Sequence, residues 1–178
     1  MKFTAFRWDR IFLIILPLLF INKVQSQEEI SNQKQMGTSE HKAIVADLLS
    51  GFNTGASATI KLFHEDAIIE YPYAHSLGTP SKLNRKEYET YLENALRNMP
   101  NMEFTNVKVY TVNKNLFLAE FHGEFTVPAT KKRYKNDYIS RITLKENKIL
   151  SLKEYWNPLA VSAFSEDGDV KDIFKKDK

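Results

Sequence analysis

One carboxylate near the end of the chain shares the apolar face of a predicted strand, a position that suits it to proton transfer. Residues two apart in a β-strand share a face, so Glu154 is expected to lie beside three apolar side chains. These are Leu150, Leu152 and Trp156. A carboxylate held against apolar side chains loses hydration, which raises its pKa toward neutrality. Glu154 is therefore either an acid–base group or a structural acid that hydrogen-bonds to a loop or reaches solvent.

A histidine and several aromatic residues are further candidates for a site. His75 precedes a Gly/Pro loop, and its ordinary pKa suits proton transfer, although an exposed loop histidine fits the same pattern. Tyrosine hydroxyls could donate hydrogen bonds to a ligand carbonyl, or simply be satisfied inside the core. The candidate ligand-binding residues are Tyr71, Tyr73, Tyr138, Trp156 and Asn157. Trp156 also fits a pocket wall or the core, and Asn157 fits a helix cap.

A set of metal-ligand residue types lies on one predicted strand. Glu120, His122 and Glu124 share one face of it. The opposite face carries Phe117, Phe121 and other apolar residues, so the Glu/His face is expected to point outward, toward solvent or a partner subunit. We expect no metal site there.

The amino-terminal residues have the pattern of a secretory signal. Residues 1–26 combine a basic start, an apolar core and small residues at Val24 and Ser26, which predicts cleavage before Gln27. The apolar run is short for a membrane span. The chain has no cysteine, which excludes disulfides, thiolate catalysis and Cys-zinc sites. These features predict a bacterial periplasmic or secreted protein, with no membrane attachment after cleavage; an uncleaved anchor is the alternative.

The formal charge of +3 comes from the predicted signal. Four bases and one acid fall within residues 1–26, which leaves 21 bases and 21 acids in the rest of the chain. A neutral mature chain gives no general attraction to nucleic acid or anionic lipid. We therefore expect no nucleic-acid partner.

The remaining chain suits one domain, preceded by a polar leader at 27–37 and followed by a charged tail at 165–178. Apolar periodicity predicts helices from about 39 to 52, from 56 to 63 and from 85 to 99, and a short helical turn at 159–164. Asn84 and Glu87 form a capping box for the third helix. Predicted strands cover 67–73, 102–112, 116–127, 133–145 and 148–156.

Helices followed by a meander of long strands predict an α+β domain over 38–164. We expect a curved antiparallel sheet with helices packed on its concave face, in a cone-shaped, cystatin-like roll. A pocket is expected between the two layers.

This order of elements, with four local motifs, resembles the SnoaL-like branch of the nuclear-transport-factor-2-like superfamily, nearest to the phenazine-biosynthesis A/B proteins. The motifs are Leu62-Phe-His-Glu-Asp-Ala67, Tyr71-Pro-Tyr-Ala74, the pair Tyr134 and Tyr138, and Glu154-Tyr-Trp-Asn-Pro-Leu159. The resemblance covers roughly residues 40–165. It implies an acid–base role for Glu154 beside a ligand, with His75 lining the same pocket. It also implies a homodimer formed through the sheet.

Two functions are compatible with these residues, and they leave open whether the domain is an enzyme. The first is a cofactor-free acid–base isomerase, dehydratase or cyclase, which binds a small organic molecule in an apolar pocket. Glu154 would move the proton, while His75 and Tyr138 orient or polarise a carbonyl. The second is a non-catalytic ligand-binding or assembly module.

Overall fold

The structure, a computed structural model, describes residues 38–168. The predicted signal, the leader and most of the charged tail lie outside the described residues. Within residues 38–168 the α-helices are α1 (Ser39–Thr54), α2 (Ala56–Ile60) and α3 (Arg85–Ala95). Short 3₁₀ turns cover Ala74–Leu77, Leu96–Asn98 and Pro158–Phe164. The strands of this part of the chain are β1 (Phe63–Glu70), β2 (Lys82–Asn84), β3 (Glu103–Asn113), β4 (Leu116–Thr126), β5 (Arg133–Lys145) and β6 (Lys148–Tyr155).

The predicted helix starts are confirmed by their caps. The Thr38 hydroxyl accepts a hydrogen bond from the amide of His41 and opens α1. Asn84 and Glu87 bond to each other's backbone amides at 3.0 and 2.8 Å, which completes the capping box of α3. Asn157 caps the last 3₁₀ turn by accepting from the amide of Leu159. None of the helices within residues 38–168 has the length and apolar content needed to cross a membrane.

The six strands form one open, mixed sheet in the order β2-β1-β6-β5-β4-β3. Neighbouring strands are antiparallel except for β1 and β6, which run parallel. The predicted α+β class is confirmed. The sheet differs from the predicted antiparallel one because β1 and β6 pair across a long intervening stretch of chain.

The bounds of the four long strands were predicted to within one residue, whereas those of β1 were wrong. The predicted strand 67–73 lies at 63–70, and the predicted helix 56–63 ends at Ile60. Pairing with β6 explains both differences, because Phe63 lies opposite Ile149 and the carbonyl of Leu62 accepts from the amide of Ile149. The short strand β2 was not predicted, and it exists through its pairing with β1.

The core lies between the helices and one face of the sheet. Alternate residues of β4 and β5 are buried, and they meet Val45 and Leu48 of α1 and Tyr88 and Leu92 of α3. The predicted outward position of the other β4 face is confirmed, because its side chains are only half buried.

A β-bulge corrects the predicted neighbours of Glu154. The register between β5 and β6 shifts so that Ser151 pairs with Thr143 but Ile149 pairs with Leu144. The shift leaves Leu150 half exposed, and Ile149 is buried in its place. Leu152 does share the inward face with Glu154, as predicted. Trp156 lies beyond the end of β6, partly buried against the core.

Candidate functional site

The inward face of β5 is polar along its first half and apolar along its second. Its buried side chains are, in order, Tyr134, Asn136, Tyr138, Ser140, Ile142 and Leu144. On the neighbouring strand β6, Glu154 lies directly opposite Ser140. The Ser140 hydroxyl donates a 2.8 Å hydrogen bond to Oε2 of Glu154. The polar half of β5 therefore faces the one inward carboxylate of β6.

Glu154 is a buried carboxyl without a cationic partner in the described part of the chain. It is 7% exposed, and Ser140 is its one hydrogen-bond donor among residues 38–168. Burial raises the pKa of Glu154 from 4.5 to about 7, while the hydrogen bond from Ser140 opposes part of that rise. The pKa direction predicted from the sequence is confirmed. At neutral pH the group can both accept and donate a proton.

Five tyrosines lie within electrostatic reach of Glu154, and we call them the phenol cluster. They are Tyr71, Tyr88, Tyr91, Tyr134 and Tyr138. Burial raises the pKa of each phenol, and a negative charge on Glu154 raises it further. The phenols therefore stay protonated at neutral pH and are available as hydrogen-bond donors.

One hydroxyl of the phenol cluster is fully buried with no hydrogen bond in the described part of the chain. The hydroxyl of Tyr88 is buried without a partner there. Tyr71 lies near enough for the two phenols to affect each other's pKa, without the geometry of a hydrogen bond. A buried donor without a partner costs stability, so this hydroxyl is the group in the cluster most in need of an acceptor.

The two phenols that the cluster takes from β5 belong to a hydrogen-bond network. The hydroxyls of Tyr134 and Tyr138 lie 2.9 Å apart, and Asn136 donates to Tyr134 at 2.9 Å. The Asn136 side chain also bonds to the backbone of Asn157, donating to its carbonyl at 3.1 Å and accepting from its amide at 3.0 Å. The network holds the phenols of β5 in place and ties β5 to the turn after β6.

The remaining predicted site residues lie in a different place, a shallow depression that we call the outer groove. It is lined by Tyr73, His75, Asp137, Tyr155, Trp156 and Asn157, among others, and has a volume of about 650 Å³. Nδ1 of His75 donates to the carbonyl of Pro72 at 2.8 Å, which leaves Nε2 as an acceptor. Glu154 is not among the residues that line the outer groove.

The structure therefore divides the predicted site in two. Glu154, Tyr71 and Tyr138 belong to the buried cluster, whereas Tyr73, His75, Trp156 and Asn157 line the outer groove. Within the described residues, Glu154 and His75 do not line the same pocket. Glu154 and Tyr155 are consecutive in β6, so their side chains point to opposite faces of the sheet. Tyr155 lines the outer groove together with His75, which places His75 on the face opposite Glu154.

Several members of the buried site were not among the candidate residues predicted from the sequence. They are Ser140, Asn136, Tyr134, Tyr88 and Tyr91. The polar residues of β5 recur at every second position, so their shared face was readable from spacing. Their position opposite Glu154 depends on the pairing of β5 with β6, which spacing alone does not specify.

The charged outer face of β4 and β5 is occupied by ion pairs. Glu124 contacts Arg133 at 2.7 Å and Lys135 at 3.3 Å, and the hydrogen bond from Arg133 is the main cause that lowers the pKa of Glu124. Nδ1 of His122 lies 2.7 Å from Oδ1 of Asp137. These contacts engage two of the candidate ligands, His122 and Glu124, with charged side chains of β5.

A separate group at the start of β1 has the residue types of a metal site. One ligand atom each of His64, Glu65 and Asp66 lie within 4.8 Å of one another. Nδ1 of His64 accepts from the amide of Asp66, and Lys145 lies 3.3 Å from the Asp66 carboxylate. These contacts compete with a cation for the same atoms.

Comparison with known proteins agrees with this architecture. Residues 45–152 match the SnoaL-like domain family. An uncharacterised PhzA/B-like protein of Pseudomonas aeruginosa is 31% identical over 111 residues, which cover 60% of this chain and 76% of that protein. A provisionally assigned isomerase of Bacillus subtilis superposes with a TM-score of 0.61 at 26% identity, covering 72% of this chain and 97% of the other.

A more distant structure shares the fold. An NTF2-like protein of Burkholderia xenovorans has a TM-score of 0.54 at 20% identity, over 71% of this chain and 96% of that one. The resemblance predicted from the four motifs is confirmed. The chain belongs to the SnoaL-like family and has the nuclear-transport-factor-2-like fold.

Proposed function

We propose that this protein binds a small organic molecule beside Glu154 and catalyses cofactor-free proton transfer on it. The observation that carries the proposal is a buried carboxyl with a pKa of about 7, no cationic partner in the described residues and a surrounding cluster of phenols. Such a group is suited to general acid–base catalysis near neutral pH. The name isomerase attached to the similar Bacillus subtilis structure supports the same reaction class.

The chemistry would act next to a carbonyl group. Glu154 accepts a proton from the carbon beside the carbonyl, and the electrons of that C–H bond move onto the carbonyl oxygen. A phenol of the cluster, such as Tyr88 or Tyr138, donates a hydrogen bond to this developing oxyanion. Return of the proton to another carbon completes an isomerisation, and loss of a β-hydroxyl as water completes a dehydration. A cyclisation uses the same enolate as its nucleophile.

His75 takes no part in this step, because it lines the outer groove rather than the phenol cluster. Ser140 is a positioning residue, since its hydroxyl fixes one carboxylate oxygen and leaves the other for the substrate. The site is expected to discriminate against anionic ligands, because a partly ionised carboxyl lies at its centre.

The second candidate is a non-catalytic binding or assembly module with a closed interior. Two observations favour it. Glu154 has a structural partner in Ser140, and neither the outer groove nor a second surface pocket, beside Lys132 and Ser162, is lined by Glu154. In this case the phenol cluster would serve packing alone.

Export and self-association complete the proposal. The protein would be released after Ser26 into the periplasm or the medium and would form a homodimer through its sheet. Mass spectrometry of the protein recovered from a bacterial host tests the cleavage. The expected amino terminus is Gln27. Analytical ultracentrifugation tests the dimer.

Proton exchange in heavy water tests the catalytic proposal. The purified protein is mixed with a panel of cyclic enones and β-hydroxy ketones, and loss of the proton beside the carbonyl is followed by NMR. We expect exchange of at least one compound to accelerate, and Glu154→Gln to slow it roughly 100-fold or more. The matched control is Glu93→Gln, which changes an exposed carboxylate of α3. Equal exchange in Glu154→Gln and the unmodified protein would contradict the catalytic role, and binding without exchange would support the second candidate.

A further inference from the structure

The outer groove is on the face of β6 opposite Glu154, and the proposed proton transfer leaves it without a role. Asp137 and Ile139 occupy outward positions of β5, and Ile139 pairs directly with Tyr155 of β6. Tyr73 is 50% exposed and Ile139 is 47% exposed. Aromatic and apolar surface is therefore presented to solvent at one place beside a carboxylate.

Two aromatic rings form a corner in this groove. The rings of Tyr73 and Tyr155 have centroids 5.9 Å apart and planes inclined at 65°. Trp156 follows Tyr155 in the chain and lines the same groove. The faces of Tyr and Trp rings carry negative electrostatic potential, so rings that meet at a steep angle can contact one cation from two sides.

The charge of the groove agrees with a cationic ligand. Among the described residues that line it, Asp137 is the one with a formal charge at neutral pH, and its side chain is 90% exposed. Oδ1 of Asp137 lies 2.7 Å from Nδ1 of His122, and Oδ2 has no hydrogen bond to a described residue. Nε2 of His75 is a further acceptor. The lining thus offers ring faces and acceptors, with no ammonium or guanidinium group of its own.

We propose that the outer groove binds an organic cation with an alkylated ammonium group. The ammonium group would rest against the ring faces of Tyr73, Tyr155 and Trp156, with the free oxygen of Asp137 as counter-charge. An alkylated ammonium suits this site because its charge is spread over methyl groups that contact apolar surface well. A simple ammonium ion, which is more strongly hydrated, is expected to bind less well.

Tryptophan fluorescence tests this proposal directly. The chain has two tryptophans, Trp8 and Trp156, so the full chain with Trp8→Phe reports on Trp156 alone. Choline and tetramethylammonium are titrated at neutral pH, with the carbon isostere 3,3-dimethylbutan-1-ol as a neutral probe. We expect saturable quenching by both cations with a Kd on the order of 1 mM, because the groove is shallow, and binding of the isostere about 10-fold weaker.

Variants locate the binding. Tyr73→Ala and Asp137→Asn are each expected to weaken choline binding about 5-fold or more, and both change exposed side chains, which spares the fold. Tyr110→Ala is the control, because Tyr110 lies on β3 outside the groove. Three results would overturn the proposal: no saturable change up to about 50 mM choline, equal binding of the neutral isostere, or tighter binding of methyl glucoside than of choline.

Discussion

Ser140 and Glu154 are direct partners across β5 and β6, and the Ser140 hydroxyl lies 2.8 Å from Oε2 of Glu154. Both side chains are buried, at 0% and 7% exposure. The pair places a titratable carboxyl inside the core with one neutral donor and no described cation. Its properties therefore depend on burial, which raises the pKa, more than on the hydrogen bond, which lowers it.

Replacing Glu154 by Gln should make the domain more stable at high pH. The pKa in the folded state, about 7, exceeds the ordinary value of 4.5, so the folded protein holds this proton more tightly than the unfolded chain. The contribution of Glu154 to the free energy of unfolding is therefore fully present below about pH 4.5, and it is lost as the pH rises through 7. Glu154→Gln does not titrate, so it should gain up to about 3 kcal/mol relative to the unmodified protein by pH 8.

Urea unfolding of the two proteins at pH 5 and pH 8 measures this difference, because all other titrating groups are common to both. Glu93→Gln, an exposed change of the same chemistry, should show no pH-dependent difference. A Glu154→Gln variant that loses stability equally at both pH values would instead identify Glu154 as a structural hydrogen-bonding partner.

Removing the Ser140 hydroxyl should raise the pKa of Glu154 further above 7. The hydrogen bond from Ser140 favours the ionised carboxyl, so Ser140→Ala leaves burial unopposed. Carbon-13 NMR of the glutamate carboxyls measures the titration. Ser151→Ala is the matched control, because Ser151 lies on β6, the strand of Glu154, and pairs with Thr143 rather than Ser140. An unchanged pKa in Ser140→Ala would show that the hydrogen bond is not made to the ionised form.

Tyr88→Phe and Tyr134→Phe should differ in their effects on stability. The Tyr88 hydroxyl is buried without a partner among the described residues, so its removal should be neutral or stabilise by about 1 kcal/mol. The Tyr134 hydroxyl bonds to Asn136 and Tyr138, so its removal should cost about 1 kcal/mol. Thermal unfolding checks both. A clear loss of stability in Tyr88→Phe would mean that its hydroxyl has a partner, such as a retained water.

Gly123 makes room for Tyr138, so Gly123→Ala should disturb the phenol cluster. A Cβ at this position would lie 3.1 Å from Cε2 of Tyr138 and 3.3 Å from Cε1 of Phe104. We expect a net loss of about 1 kcal/mol, since crowding outweighs the benefit of replacing glycine in a strand. A double-mutant cycle with Phe104→Leu measures the coupling, which should be favourable. Simple additivity would show that the strand adjusts without affecting either ring.

His41 ties α1 to the turn between β3 and β4, and His41→Leu should destabilise the domain by about 2 kcal/mol. Its ring stacks on Phe117 at 4.3 Å, and its nitrogens bond to the Thr111 hydroxyl at 2.8 Å and the Lys114 carbonyl at 3.1 Å. Leucine keeps the apolar contact but removes both hydrogen bonds. Urea unfolding measures the loss, and His75→Leu in the outer groove is the surface control. Equal stability of the two variants would contradict this structural role.

Much of the fold could be predicted because its signals are local. The residue patterns of 116–127 and 133–145 identified β4 and β5, with the inward face of β4, and the Asn84–Glu87 box identified the start of α3. Glu154 was predicted as a buried carboxyl with a raised pKa; it is buried in the structure, and that burial raises its pKa. The predicted Leu150 neighbour was wrong, because the bulge depends on how β6 pairs with β5.

The sequence by itself determined the class of the fold, its family and the burial of one carboxylate, because side-chain spacing and caps act within a few residues. Only the tertiary structure decided that β1 runs parallel to β6, that Ser140 lies opposite Glu154 and that Tyr73 and His75 lie away from it. Those relationships join segments distant in sequence through backbone pairing. The spacing of residues along one segment does not specify which strand becomes its neighbour or in which register the two strands pair.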